Sequence, residues 1–401
     1  MTKSLKNFPE LIPISKLSDE PDWFFELRLA AFHKLSSTFF PDSTLESWRK
    51  TKFGNFSIKN YLGSENTLKV RLHHTNKSIE LVSIQDINEV QKKIIQSNLQ
   101  GIIDSKENQF FQLVSIAYNQ SFKFLSLPDS FNSPDPIIIE SSFRDFSIAG
   151  FQIFFLFTGK NSKAIILHKS ISPVTESLNL FNSLFVSIIN DGSNIEEIQI
   201  EEFNPSTIHI RKFIVIQNKD TYFKSGFFNL GGYRGKTFFD VNLQETNSSA
   251  KLLGVASPSK REIQDIEYSL FHNNSHTNSS IKFKTVMKDK SHHIFTGNLN
   301  IPKTSKHVEA SQLNHNLILD KTARAESMPK LEVFAEDVKC SHGATMSEIN
   351  EEQLFYLLSR GFTPSDARHL IVEGFITEII DEFSLENSNE LKDKLLRKLG
   401  E

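Results

Sequence analysis

The sequence predicts a mainly β protein with helical segments at both ends. Three observations carry that expectation. From about residue 121 to residue 345, short β-branched or aromatic runs are separated by turn residues. Before and after that stretch, apolar side chains recur at helical spacing. Beyond Asn350, residues that start and stop helices fall in the right order. The expected organisation is a helix-rich N-terminal domain over 1–120, a β core over 121–345 and a helical C-terminal domain over 346–401.

In the first part, Ser18 is placed to cap a helix whose first turn holds Asp19, Glu20 and Pro21. Phe24, Leu27, Ala31 and Leu35 follow at helical spacing, with Trp23 alongside. Further helices are expected over 87–99 and 107–118. The strand runs are 137–139, 153–157, 164–167, 195–200 and 207–216, then 282–287, 293–295, 316–319 and 331–334. Many short strands suit a sandwich, a barrel or a stacked coil, and no strict short repeat chooses among them. Toward the end, Asn350 caps a helix over 351–360, with Gln353 placed to reach back and Gly361 as its stop. Thr363 caps the next, with Pro364 at its first position and Asp366 in its first turn. Ala367, Leu370, Ile371, Gly374 and Phe375 then form its expected apolar face, extended by Ile379 and Phe383. Leu391, Leu395 and Leu399 suggest a third, short helix.

A chain of 401 residues has room for two or three domains. Its net charge of −3 gives no electrostatic case for nucleic acid as the main partner. The longest apolar run, 148–157, is too short to span a bilayer and is interrupted by Gly150 and Gln152. Met1-Thr2-Lys3-Ser4-Leu5-Lys6 is not followed by a leader-type apolar stretch. A single cysteine excludes an internal disulfide, so the expected setting is a reducing cytoplasm. The 36 phenylalanines are spread along the chain and read as core filler.

Four groups of residues invite a chemical reading. Gly231-Gly232-Tyr233-Arg234-Gly235-Lys236-Thr237 ends like a phosphate loop, but residue 230, where the first glycine belongs, is Leu. Turns and bulges explain these glycines better. His272 and His276 would share a face only on a helix, and the Asn- and Ser-rich surroundings make a turn instead. His292 and His293 are adjacent, while His307 and His315 are isolated. The strongest candidate is Asp337-Val338-Lys339-Cys340-Ser341-His342-Gly343-Ala344-Thr345. In an extended segment, Cys340 and His342 point to the same side and present a thiol and an imidazole together. The plainer alternative is a small buried hydrophobe beside an incidental histidine.

That segment is flanked by Ala323-Arg324-Ala325-Glu326-Ser327-Met328-Pro329-Lys330-Leu331-Glu332-Val333 and by Glu351-Glu352-Gln353-Leu354-Phe355-Tyr356-Leu357-Leu358-Ser359-Arg360-Gly361. Together they resemble the C-terminal signature of the SufB/SufD family of iron–sulfur cluster assembly proteins. Cys-Ser-His-Gly-Ala-Thr resembles the SufD branch. The resemblance runs from about Phe271 to the C-terminus, with weaker traces around Glu20-Pro21-Asp22-Trp23 and Glu46-Ser47-Trp48-Arg49. Where Asn314-His315-Asn316-Leu317 stands, the family typically has Asn-Arg-Asn-Leu, which puts any charge pairing there in doubt.

The resemblance implies a right-handed parallel β-helix with irregular rungs. It implies a SufB-like partner docked along Cys340, His342, Gly343, Ala344 and Thr345. It implies a SufC-like ATPase of the ABC type docked on the C-terminal helices, for which Arg360, Leu370, Ile371, Phe375 and Ile379 are the candidates. It implies iron or a nascent iron–sulfur cluster shared with the SufB-like partner, with His342 the first candidate ligand and Cys340 the second. An all-cysteine cluster usually needs four thiolates, and this chain has one. Another chain, or ligands of other types, must therefore complete any centre. The chain itself would be a non-catalytic scaffold, able to form a homodimer in isolation. Two other readings stay open: a β-helix interaction module with no metal role, and a β-helix enzyme acting on polysaccharides.

Overall fold

The computed structural model describes residues 10–51, 56–62, 68–74, 79–143, 148–172, 178–384 and 388–400. The chain opens with helix α1 (Asp22–Ser36), strands β1 (Leu68–His73) and β2 (Leu81–Val82), and helices α2 (Glu89–Asp104) and α3 (Phe110–Ala117). Helix α1 starts later than Ser18 would have it. Pro21 is its N-cap residue and sits extended, at φ −62° and ψ 144°, with no side-chain cap. Glu20, instead of entering the first turn, accepts from the backbone of Leu17 and pairs with buried Arg28 at 2.7 Å. In α2 the capping box is complete between Asn88 and Gln91.

Strands then follow in pairs: β3 (Ser121–Leu127), β4 (Ile137–Phe143), β5 (Ala149–Thr158), β6 (Lys163–Ile171), β7 (Asn179–Ile189), β8 (Asn194–Glu202), β9 (Thr207–Gln217) and β10 (Tyr222–Asn229). The series continues with β11 (Arg234–Leu243), β12 (Ser249–Ala256), β13 (Ile263–His272), β14 (Asn278–Met287), β15 (His292–Ile301), β16 (Val308–Ile318), β17 (Arg324–Val333) and β18 (Val338–Ser347). The β-branched runs noted in the sequence fall in strands, with Leu319 and Phe334 just beyond. From β3 onward, odd strands stack in parallel in one sheet and even strands in the other. The fold is therefore a parallel β-helix flanked by helices. Its period varies, from 26 residues (Phe213 to Phe239) to 32 (Gly297 to Pro329), which is why no fixed repeat shows in the sequence.

Two ladders run along the coils. Inside, Phe154, Phe185, Phe213, Phe239 and Tyr268 stack in register, with Phe213 and Phe239 centroids 4.5 Å apart. At one corner, Ser130, Asn161, Gly192, Asp220, Asn247, His276 and His307 all adopt positive φ. Several of their backbone N–H groups donate to the next coil, as His307 does to Asp337 at 2.8 Å. His276 and His307 stack there, centroids 4.7 Å apart, as corner residues.

The two ends differ. At the first, β1 and β2 pair antiparallel with β4 and β3, and α1 to α3 pack on the outer face of the odd-strand sheet. At the second, β17 and β18 are the last strands of their sheets.

Helices α4 (Glu351–Ser359), α5 (Pro364–Ile380) and α6 (Ser388–Leu399) return along the even-strand sheet. The caps are Asn350 and Thr363, as expected. The buried stripe of α5 is the expected one only in part: Ala367 and Ile379 are buried, as is Phe383 beyond the helix end, but Val372, Ile376 and Ile380 join them. Val372, Ile376, Ile379 and Ile380 face Ile198, Phe228, Leu253 and Val255, while Leu370 and Gly374 are exposed. Apolar and polar residues are mixed around α5, so spacing alone offered several stripes.

Candidate functional site

Strand β18 presents the candidate residues at the uncapped end of the coil. Val338, Cys340, His342 and Ala344 alternate inward, beside Val308, Ala310, Gln312 and Asn314 of β16. Cys340 closes the end of the interior core, half-buried, and burial pushes its thiol above the ordinary range. His342 is exposed two residues along on the same side. Gly343 faces outward, where an added Cβ would lie 2.8 Å from Leu313 Cδ2, so it serves packing within its own sheet. The backbone oxygen of Thr345 accepts from buried Asn316 at 3.1 Å.

Among the described residues, β18 pairs only with β16, and β17 only with β15. Each therefore offers an unpaired row of backbone donors and acceptors, a template for strand addition. Leu331, Phe334 and Met346 are exposed beside these edges. An apolar end of this kind is normally covered. As a metal site the end is incomplete: among the described residues, no group of three or more His, Cys, Asp or Glu converges. One imidazole and one half-buried thiol fit a contribution to a shared centre, not a whole one.

The buried histidines His272 and His293 are structural. His272 is buried between the Thr277 and Ser279 hydroxyls, at 2.7 and 2.8 Å, and burial lowers it to about 4. His293 is fully buried and lowered to about 3, mainly by desolvation. In the glycine-rich run, Gly232 takes φ +106° against His209, and Lys236 is buried in ion pairs with Asp265 at 2.8 Å and Glu267 at 3.3 Å. That lysine does not reach for a phosphate.

A second surface lies where α4 and α5 leave the even-strand sheet. A cleft of about 930 Å³ is lined by Leu317, Tyr356, Leu357, Leu370, Ile371 and Phe375, among others. Phe355 is 73% exposed and Tyr356 56%. Arg360 lies over the Tyr356 ring at 5.1 Å. The Lys284 ammonium donates to the Phe375 carbonyl at 2.8 Å and pairs with Glu378. Ile379 is fully buried beneath α5 and offers no surface to a partner. Sequence reasoning missed Phe355, Tyr356 and Phe362. Their signal was a run of large apolar residues on and just after a short helix, with nothing in sequence to cover them.

Residues 147–375 match the SufBD core domain of the SUF system for FeS cluster assembly. Over 313 residues the chain is 26% identical to the iron–sulfur cluster assembly protein SufD of Escherichia coli, covering 77% of this chain and 73% of that one. A SufBD family protein of Synechocystis is 29% identical over 206 residues, 51% of this chain and 46% of the relative. A SufBD family protein of Staphylococcus epidermidis is 23% identical over 419 residues, covering 94% and 90%.

Proposed function

Because the chain belongs to the SufB/SufD family of the SUF system, and so to iron–sulfur cluster assembly, we propose that it is a SufD-like, non-catalytic scaffold subunit of a cytoplasmic assembly complex. The observation that carries this reading is the open end of the β-helix. A strand with a free edge presents His342, and beside it Cys340, in an incomplete donor set. A SufB-like chain adds its own edge strand along residues 340–345 and supplies the remaining ligands. Iron, or the cluster being built, is cargo held between the two chains. His342 contributes a neutral imidazole nitrogen. Cys340 contributes a thiolate only once a partner has lowered the cost of ionising it.

The C-terminal surface takes a SufC-like ATPase, which brings the nucleotide chemistry. Leu370, Ile371 and Phe375 line its groove, and Arg360 and Tyr356 its rim. Helix-in-groove docking needs apolar anchors left exposed, and this surface has them. The test is affinity recovery of the protein from its host, with identification of the chains that come with it. A SufB-like chain and an ABC-type ATPase are expected together. Recovery of the protein without any such ATPase would contradict the reading.

A further inference from the structure

The aromatic ladder stops two coils short of the open end, and what replaces it bears on His342. After Tyr268 the next position in the column is Gly297, and after that Pro329. The slot a sixth ring would fill is taken from the opposite sheet by Gln312. A Cβ at Gly297 would lie 2.0 Å from Gln312 Oε1. Gln312 is 5% exposed, and its Nε2 has no hydrogen-bond partner among the described residues. Buried amides are rarely left so. As it stands the carbonyl oxygen faces Gly297; because Nε2 is unbonded, a half-turn about the broad, two-fold last torsion that exchanges the two breaks no hydrogen bond of Nε2.

Gln312 is also the register partner of His342. Their Cβ atoms stand one strand spacing apart, about 4.8 Å, on the same inward side. We propose that Gln312 is a positioning residue for His342: its carbonyl oxygen accepts the ring N–H on the inward side and turns the bare nitrogen toward the open end. Histidines that bind metal commonly hold the other ring N–H in this way, which sets both tautomer and ring orientation. Gly297 is the companion device, because only a residue without a side chain leaves room for the amide. The inference rests on the reading of His342 as a ligand for the cargo iron, but its test does not use iron.

The experiment is nitrogen NMR of the full chain labelled at histidine, at mildly alkaline pH where imidazoles are neutral. His342 is assigned by the signal lost in His342→Ala. One dominant tautomer is expected for His342, with its two ring nitrogens well separated in shift. In Gln312→Leu, and separately in Gly297→Ala, which displaces the amide without altering β16, the two shifts should converge. A merely structural loss would not select the ring of an exposed histidine. Identical tautomer populations in the parent and both variants overturn the proposal, whatever His342 does in cluster assembly. Normal cluster assembly by His342→Ala would overturn the ligand reading and leave the tautomer result standing.

Discussion

Arg211 Nη1 and Glu201 Oε1 stand 2.6 Å apart in the middle of the β-helix, both side chains wholly shielded from solvent. Ser183 takes the Arg211 Nε–H at 2.9 Å, and Asn229 donates to Glu201 at 2.7 Å. The guanidinium also lies over the Phe213 ring at 4.7 Å. Removing one member leaves the other charge uncompensated. Glu201→Ala is expected to cost roughly 3–5 kcal/mol, whereas replacing both by apolar residues of similar volume should cost far less. Urea unfolding measures both. A single variant as mild as a surface change would refute the pairing.

The interior ladder gives a second expectation. Phe239 is sandwiched between Phe213 at 4.5 Å and Tyr268 at 4.6 Å. Phe239→Ala should lose about 3–5 kcal/mol, through lost burial and a cavity that stacked coils cannot close. Phe239→Leu should lose clearly less. Equal losses for the two would contradict the cavity account and assign the cost to the ring stack itself.

Acid should loosen the β-helix. His272 and His293 are held by burial at about 4 and about 3, against an ordinary value of 6.5. The folded state therefore binds fewer protons than the unfolded chain between those limits. The stability tied to these groups is complete above about pH 6.5 and falls as the pH drops through 6 toward 4. Each group costs on the order of 1.4 kcal/mol per pH unit in that window. His293→Phe should flatten the slope between pH 6 and 4, read from unfolding midpoints. An unchanged slope would show that His293 does not report the interior.

The C-terminal cleft is expected to separate binding from stability. Tyr356→Ala combined with Leu370→Ala removes exposed anchors and should move the unfolding midpoint little. The same variant should recover at least tenfold less of the ATPase partner. Ile379→Ala, which empties a buried site, should do the reverse in emphasis, costing roughly 2–5 kcal/mol of stability. Retention of the ATPase by the double variant would move the docking site elsewhere.

How far these features were legible in the sequence follows from their physics. Helix caps at Asn350 and Thr363 were readable because capping is local chemistry. The shared side of Cys340 and His342 was readable because strand alternation is local too. The coil was not readable from spacing, because turns between strands absorb a period that drifts from 26 to 32 residues. The resemblance carried that step. Part of the α5 stripe escaped because polar residues such as Arg368, Glu373 and Glu378 are spread around the helix, leaving no single apolar face until it meets Phe228 and Leu253. Gln312 escaped because its meaning depends on Gly297, fifteen positions earlier on the opposite sheet.

The measurement that tests the central claim most directly is anaerobic cluster reconstitution, with iron and sulfide counted per complex. It should be run on this chain alone, on its complex with the SufB-like partner, and on the same complex carrying His342→Ala. The expected result is a stoichiometric cluster only in the unaltered complex, with the variant complex assembling normally but lacking it. A stoichiometric cluster in the chain alone, or an unaffected variant complex, would contradict a shared centre at the open end of the β-helix.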